Sequence, residues 1–174
     1  MSKRVAKFEK VSYEQFEKDW LDTYGSNVIT SNDYKNKIRD IYNNIELPKR
    51  ATKFSAGYDF YTPITFKLDP GASIKIPTGI RCTMHSNYVL QIYPRSSLGF
   101  KYMLVPMNLV PIVDSDYYYS DNEGHIFMKM KNCGDKHVTV KMGDAFCQGV
   151  FVEYGITEDD NVYTTRNGGM GSTN

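Results

Sequence analysis

From residue 60 onward the apolar residues alternate with polar ones. Ile64, Phe66 and Leu68 run up to the turn Asp69-Pro70-Gly71, and Ile74 and Ile76 run up to Pro77-Thr78-Gly79. Ile80, Cys82 and Met84 follow, then Val89 to Tyr93, Ile126, Met128 and Met130, Val138 and Val140, and Ala145 to Val152. A period of two puts successive side chains on opposite faces of a strand. Short strands cut by turn signals predict an all-β sandwich or barrel rather than βαβ units. No repeat with a period of roughly 20–50 residues is visible.

Upstream the period lengthens. Ser12 and Gln15 have capping-box spacing, and Tyr13, Phe16, Trp20 and Tyr24 then recur at three- and four-residue steps. Gly25 supplies a stop. A second helix is predicted from near Ser31, with Tyr34, Ile38, Ile41 and Ile45 on one face, ending before Leu47-Pro48. All seven prolines and twelve of the thirteen glycines lie at or after Pro48, so the turn-rich part begins there. The division is a helical N-terminal extension (1–46), a β domain (47–160) and a polar, flexible, glycine-rich arm (161–174). Two amphipathic helices packed on the main domain are the plainer reading of the extension, and a protein partner gripped by those helices is the sharper one.

Charge removes several classes. Among 174 residues, 21 Lys+Arg face 20 Asp+Glu, a net charge of +1, which argues against a general nucleic-acid binder. A hydrophobic content of 41% with 14% aromatics opposes disorder. No stretch approaches the ~18 apolar residues of a membrane span, and no apolar block of signal-peptide type follows Met1. Cys82, Cys133 and Cys147 form no CxxC pair and are odd in number, so a reduced, cytoplasmic setting is expected, away from membranes.

Five segments carry more than periodicity: Ala56-Gly57-Tyr58-Asp59-Phe60, Pro94-Arg95-Ser96-Ser97-Leu98-Gly99, Asn108 through Tyr117, Gly143-Asp144-Ala145-Phe146-Cys147-Gln148, and Arg166 through Thr173. In this order they resemble the five motifs of the trimeric dUTPase family, over about residues 45 to 174. The resemblance implies a distorted β-barrel or jelly roll of dUTPase type. It also implies Mg²⁺-dependent hydrolysis of dUTP to dUMP and pyrophosphate by water attack on the α-phosphorus, and a homotrimer whose C-terminal arm is shared between subunits.

By the same resemblance, Arg95, Ser96 and Ser97 contact the triphosphate, for which a guanidinium fork and hydroxyls are suited. Outside the motif Arg95 would read as a surface ion pair, and Ser97 as the cap of a helix starting at Leu98. Asp114 corresponds to the catalytic carboxylate that activates water and binds the 3′-hydroxyl, against a turn-initiating Asp. Asp116, two residues on, would share its strand face. Tyr117 corresponds to the ring beneath the deoxyribose, where it excludes a 2′-hydroxyl, against an aromatic packing a hairpin. Asn108 matches the uracil contact. Gln148 matches a phosphate or metal-water contact, with a solvent-facing strand Gln as its rival. Asp59 helps to hold Mg²⁺ through water, since Mg²⁺ keeps several waters on phosphate. Arg166, Gly168, Gly169, Met170, Gly171 and Ser172 correspond to the arm that closes on the nucleotide. His85, His125 and His137 have no ligand spacing and read as ordinary surface or strand residues.

The chain departs from the pattern in places. Pro111 stands where Gly is usual, Met170 where Phe is usual, and Asn174 where Gly often follows Thr. About five extra residues, Tyr119 to Glu123, lengthen the hairpin tip. The alternatives to a dUTP diphosphatase are a dCTP deaminase of the same superfamily and a regulatory protein-binding protein on this scaffold.

Overall fold

A computed structural model describes residues 3–25, 32–164 and 166. Strand β1 (Ala6–Lys10) precedes helices α1 (Tyr13–Tyr24) and α2 (Asn32–Asn43). Strands β2 (Lys49–Arg50), β3 (Tyr58–Tyr61), β4 (Phe66–Leu68), β5 (Ser73–Pro77), β6 (Ile80–Met84) and β7 (Tyr88–Pro94) lead to a short helix, α3 (Ser96–Tyr102). Then come β8 (Leu104–Pro106), β9 (Ile112–Val113), a 3-10 helix (Ser115–Tyr119), β10 (Phe127–Asn132), β11 (Val138–Val140) and β12 (Ala145–Glu153).

The pairing is antiparallel throughout. One sheet runs β2-β3-β12-β7-β9, a second β5-β10-β8, and β1-β6 and β4-β11 form two further ladders. The fold is thus mostly β, of jelly-roll kind, with three α-helices among the described residues and no single closed barrel. Period two explains the core: Ile80, Cys82 and Met84 of β6 are buried while Arg81 and Thr83 between them are only partly so. Leu90, Ile92, Phe60, Phe146, Met128 and Met130 complete it.

Several elements escaped the pattern. Strand β1, Ala-Lys-Phe-Glu-Lys, has weak strand propensity and no clean alternation, yet it pairs with β6, Phe8 opposite Cys82. Its one aromatic, Phe8, packs on Tyr58, Phe60 and Phe151 with ring centroids 5.4, 5.5 and 5.6 Å apart. Strands β8 and β9 are too short to show a period. Where a hairpin tip was expected, residues 115–119 coil into the 3-10 helix, so Asp116 does not share a strand face with Asp114. Helix α3 starts at Ser96 with Arg95 in the cap position, so Ser97 lies inside the helix and is not its cap.

The extension keeps most of its predicted local chemistry. The Ser12 hydroxyl accepts from the Gln15 N–H at 3.1 Å, and Gly25 ends α1 with φ 106°. The Gln15 side chain, however, turns away from the cap and donates to Asp19 at 2.8 Å. The predicted start of α2 near Ser31 lies outside the described residues. Val11, Phe16, Trp20, Ile38 and Ile45 are all buried, each contributing about 1.5–3 kcal/mol by leaving water. Phe16 and Ile45 meet at Gly79, whose φ of 73° favours glycine; a Cβ there would lie 2.3 Å from Ile45 Cδ1.

Polar tethers fix the extension's orientation. The Val11 N–H donates to the Gly79 carbonyl at 3.0 Å, and the Ser12 N–H and hydroxyl donate to the Glu123 carboxylate at 2.7 and 2.6 Å. Glu123 belongs to the extra residues between Tyr117 and Gly124, so the insertion and the extension meet. Asp19 lies 2.6 Å from His125 Nδ1, and the Gly79 N–H donates to His125 Nε2 at 2.7 Å. With Nε2 accepting, the ring proton is on Nδ1 and is given to Asp19. His125 is 0% exposed, so it is a buried junction and not the ordinary surface or strand residue the spacing implied.

Burial opposes ionisation of Asp19, but hydrogen bonds from His125 and Gln15 outweigh it and hold its carboxyl below the usual 3.8. Glu123 behaves alike: burial acts against it, and the two bonds from Ser12 hold it below 4.5. A depressed carboxyl contributes stability above its unfolded value and loses it as pH falls through the folded one. Denaturant midpoints measured from pH 7 downward are therefore expected to hold until about pH 4.5 and then fall, and Asp19→Asn is expected to flatten that acid limb.

Candidate active site

Strands β3, β12 and β7 bring one group of residues into a row. Asp59 is opposite Gln148, and Gln148 is opposite Tyr93. Opposed residues share a face, so Asp59 and Gln148 point together while their neighbours Phe60 and Cys147 fill the core. Beyond the end of β7 the chain turns, and Arg95 folds back with Nε 3.6 Å from Asp59 Oδ1 and Nη1 donating to the Ser97 hydroxyl at 3.2 Å. The Arg95 side chain is 42% exposed, where such a pair is worth about 0–1 kcal/mol. The guanidinium can exchange Asp59 for a phosphate at little cost. Ser96, in the first turn of α3, is exposed beside it.

Asp59, Tyr61, Arg95, Leu98, Thr139 and Asp144 line an open cleft of about 460 Å³. Gln148 does not dangle in solvent: its amide donates to the Pro94 carbonyl at 3.1 Å. Gly57 makes the room, since a Cβ there would lie 2.6 Å from Gln148 Oε1. No thiol competes as a nucleophile here. Burial pushes the Cys147 thiol well above its ordinary value and the Cys82 thiol up to about 12.

A second group lies at the β9 edge. Asp114 follows β9 and occupies the cap position of the 3-10 helix. Arg166 Nη2 donates to Asp114 Oδ2 at 2.5 Å, and its Nε is 3.4 Å from Asp116 Oδ1. Tyr117 is 2% exposed; its hydroxyl donates to the His125 carbonyl at 2.7 Å and accepts from Asn122 Nδ2 at 2.9 Å. The Arg166 guanidinium carbon is 5.7 Å from the Tyr117 ring centroid. Asn108 is exposed in the turn before β9, a turn made tight by Leu109 at φ 61°. Pro111 fits because β9 is an edge strand and only its carbonyl is needed, accepting from the Ile92 N–H at 3.0 Å.

The two groups are apart. Val113 pairs with Leu90, so Asp114 lies beside Val89, six residues along β7 from Arg95. At ~3.3 Å per residue that is roughly 20 Å along the strand. Arg166 is with Asp114 and not with Arg95. Gly168, Gly169, Met170, Gly171 and Ser172 lie outside the described residues. Among the described residues no group of three or more His, Cys, Asp or Glu could hold a metal ion.

The described residues thus form an antiparallel β fold that carries two polar clusters, one around Arg95 and Asp59 and one around Asp114 and Arg166. The model of the dUTPase family matches residues 43–174, and the chain belongs to the dUTPase family. The deoxyuridine 5′-triphosphate nucleotidohydrolase of Lactococcus lactis is 42% identical over 132 residues, covering 74% of this chain and 88% of that protein. That of Haemophilus influenzae is 37% identical over 145 residues, covering 78% and 93%. The crystal structure of the Streptococcus mutans dUTPase superposes with a TM-score of 0.61 at 32% identity, covering 87% of this chain and 98% of that one. A dUTPase mutant from phage phi11 of Staphylococcus aureus, described as coordinating a structural Mg(II) ion, shares the fold with a TM-score of 0.56 at 21% identity, over 70% and 92% of the chains.

Motif reading passed over Asp19, Asn122, Glu123 and His125, which surround the Tyr117 segment. One signal was present: Asp19 stands three residues after Phe16 and next to Trp20, a carboxylate on the apolar stripe. Gly57→Ala tests the other cleft. The new methyl collides with the terminal oxygen of Gln148 and otherwise makes ordinary contact with that side chain, so thermal stability is expected to change little while dUTP kcat/KM falls about 10-fold through displacement of that amide.

Proposed function

We propose that this chain hydrolyses dUTP to dUMP and pyrophosphate. The observation that supports it most directly is the pair of clusters, Arg95–Asp59–Gln148 and Asp114–Tyr117, each matching one end of a deoxynucleoside triphosphate. Arg95 and Ser96 grip phosphate oxygens by charge-assisted hydrogen bonds. Tyr117 supports the deoxyribose and leaves no room for a 2′-hydroxyl, and Asn108 reads the uracil edge. Asp114 orients a water and takes its proton as the water oxygen bonds to the α-phosphorus. The bond from that phosphorus to the bridging oxygen then breaks, and pyrophosphate leaves.

In the single chain Arg166 pairs with Asp114 and overlies the Tyr117 ring. Nucleotide binding therefore requires Arg166 to withdraw, which frees the carboxylate and uncovers the ring. The arm then closes with Arg166 toward the phosphates, and Gly168 to Ser172 wrap the base and sugar. Asp59 and Asp144 give the cleft an all-oxygen donor set without a protein cage. That fits Mg²⁺, which keeps most of its waters and would supply charge neutralisation to a bound triphosphate.

The ~20 Å between Arg95 and Asp114 along one chain supports a composite site, with each subunit of a homotrimer lending its Asp114 edge to a neighbour's Arg95 cleft. Purified protein with Mg²⁺ is expected to release pyrophosphate from dUTP and to leave dCTP and UTP largely intact. Ammonia release from dCTP would instead identify a deaminase. Arg95→Ala and Asp114→Ala are each expected to be inactive alone. Mixed trimers of the two are expected to regain about a quarter of wild-type activity, because random assembly reunites intact partners in that share of sites. No recovery would place each site within one chain.

A further inference from the structure

All but the last four residues of the N-terminal extension lie outside residues 43–174 that match the family, yet the extension reaches the segment that carries Tyr117. On helix α1, Asp19 is buried on the apolar face and accepts from His125 Nδ1 at 2.6 Å, with Gln15 holding the carboxylate from the side at 2.8 Å. The opposite ring nitrogen of His125 accepts from the Gly79 N–H at 2.7 Å, so the imidazole is fixed at both ends. The same residue's carbonyl oxygen accepts from the Tyr117 hydroxyl at 2.7 Å, and its N–H donates to the Asn122 carbonyl at 3.0 Å. Asn122 in turn donates to the Tyr117 hydroxyl.

A second line runs in parallel. The Ser12 N–H and hydroxyl hold Glu123, the Tyr118 hydroxyl donates to Glu9 of β1 at 2.6 Å, and Arg81 lies over the Tyr118 ring at 4.3 Å. Both lines start in the extension and end on the short stretch that follows Asp114. A 3-10 helix of five residues has poor internal hydrogen-bond geometry, so its placement depends on such outside contacts.

We propose that Asp19 of the N-terminal extension is a positioning residue for sugar selection, acting through His125 on the hydroxyl of Tyr117. The proposal rests on the reading of Tyr117 as the support for deoxyribose. Asp19 touches no substrate. It keeps His125 in one orientation, His125 presents its carbonyl to Tyr117, and the tyrosine ring is thereby held at the height that admits hydrogen and rejects a hydroxyl at the 2′ position. A buried hydrogen-bonded carboxylate suits this task, because removing it leaves the His125 Nδ1–H without an acceptor and favours rearrangement of the ring.

The measurement is the ratio of kcat/KM for dUTP to that for UTP in the full chain with Mg²⁺. Asp19→Ala is expected to lower this ratio about 10-fold, mainly by raising KM for dUTP and admitting UTP, whereas Asp19→Asn, which keeps an acceptor oxygen, recovers most of it. In a Tyr117→Phe background, Asp19→Ala is expected to add little further loss, because the hydroxyl through which it acts is gone. A folded Asp19→Ala protein with lowered thermal stability but an unchanged ratio overturns the proposal and makes the Asp19–His125 pair purely structural. So does full additivity of the two substitutions. If Asp19→Ala does not fold, Tyr117→Phe alone decides: retention of the wild-type ratio means the hydroxyl anchor has no part in selection. Absence of dUTP turnover in the unmodified protein would defeat the proposed function itself, a result visible before any variant is made.

Discussion

The two parts of this chain close on one backbone position. Gly79 sits with φ 73° between β5 and β6, and its bare α-carbon lets Phe16 of α1 and Ile45 pack directly on the turn. Its carbonyl takes the Val11 N–H and its own N–H goes to His125. Any side chain there would push the extension off and would also strain the backbone. The apolar seat and the polar junction thus depend on the same absent Cβ, and the burial of Asp19 and His125 is tolerable only because their hydrogen bonds are completed at that point.

From this junction the order propagates toward chemistry. A carboxylate, an imidazole and a peptide carbonyl connect α1 to the Tyr117 hydroxyl, and the inserted residues up to Glu123 are used to cap α1 in return. An addition outside the family core has become part of the support of a core segment. The other half of the chemistry, around Arg95, relies on a different device. There the alternation of β3 and β12 aims Asp59 and Gln148 outward, and Gly57 lets the Gln148 side chain lie against the main chain. The Arg95–Asp59 contact is partly exposed and weak, so it holds the guanidinium only loosely.

Net charge illustrates how local this chemistry is. With +1 overall the chain carries no broad field to attract polyanions. Arg95 and Arg166 are instead placed singly, each resting on a carboxylate of its own chain, Asp59 or Asp114. Each guanidinium is thus already offset by nearby carboxylates, Asp59 and Asp144 around Arg95 and Asp114 and Asp116 around Arg166, so neither cluster adds a net positive charge of its own.

By itself the sequence determined what depends on neighbours along the chain. The Ser12 cap, the Gly25 stop, the apolar stripe of α1, the period-two strands from Phe66 to Val152 and the turn at Pro77-Thr78-Gly79 are local features. Each follows from side-chain spacing of two to four residues. The types of the candidate site residues were equally legible, because Arg, Asp, Tyr and Gln occur in motif order. Tertiary structure alone decided the rest. Strand β1 exists because the edge of β6 accepts it, and its own composition would not have called for a strand. Residues expected to lead into a hairpin form the 3-10 helix at Ser115 instead, and the inserted Glu123 is held by Ser12 at the start of α1. Asp19 and His125 are 106 residues apart, and Ser12 and Glu123 are 111 apart. Contacts at such separations leave no periodicity in a single chain, since they arise only when packing brings two surfaces together. Likewise, motif order placed Arg95 and Asp114 in one site, but the strand register sets them roughly 20 Å apart within a chain, because a β-strand converts six residues into that length.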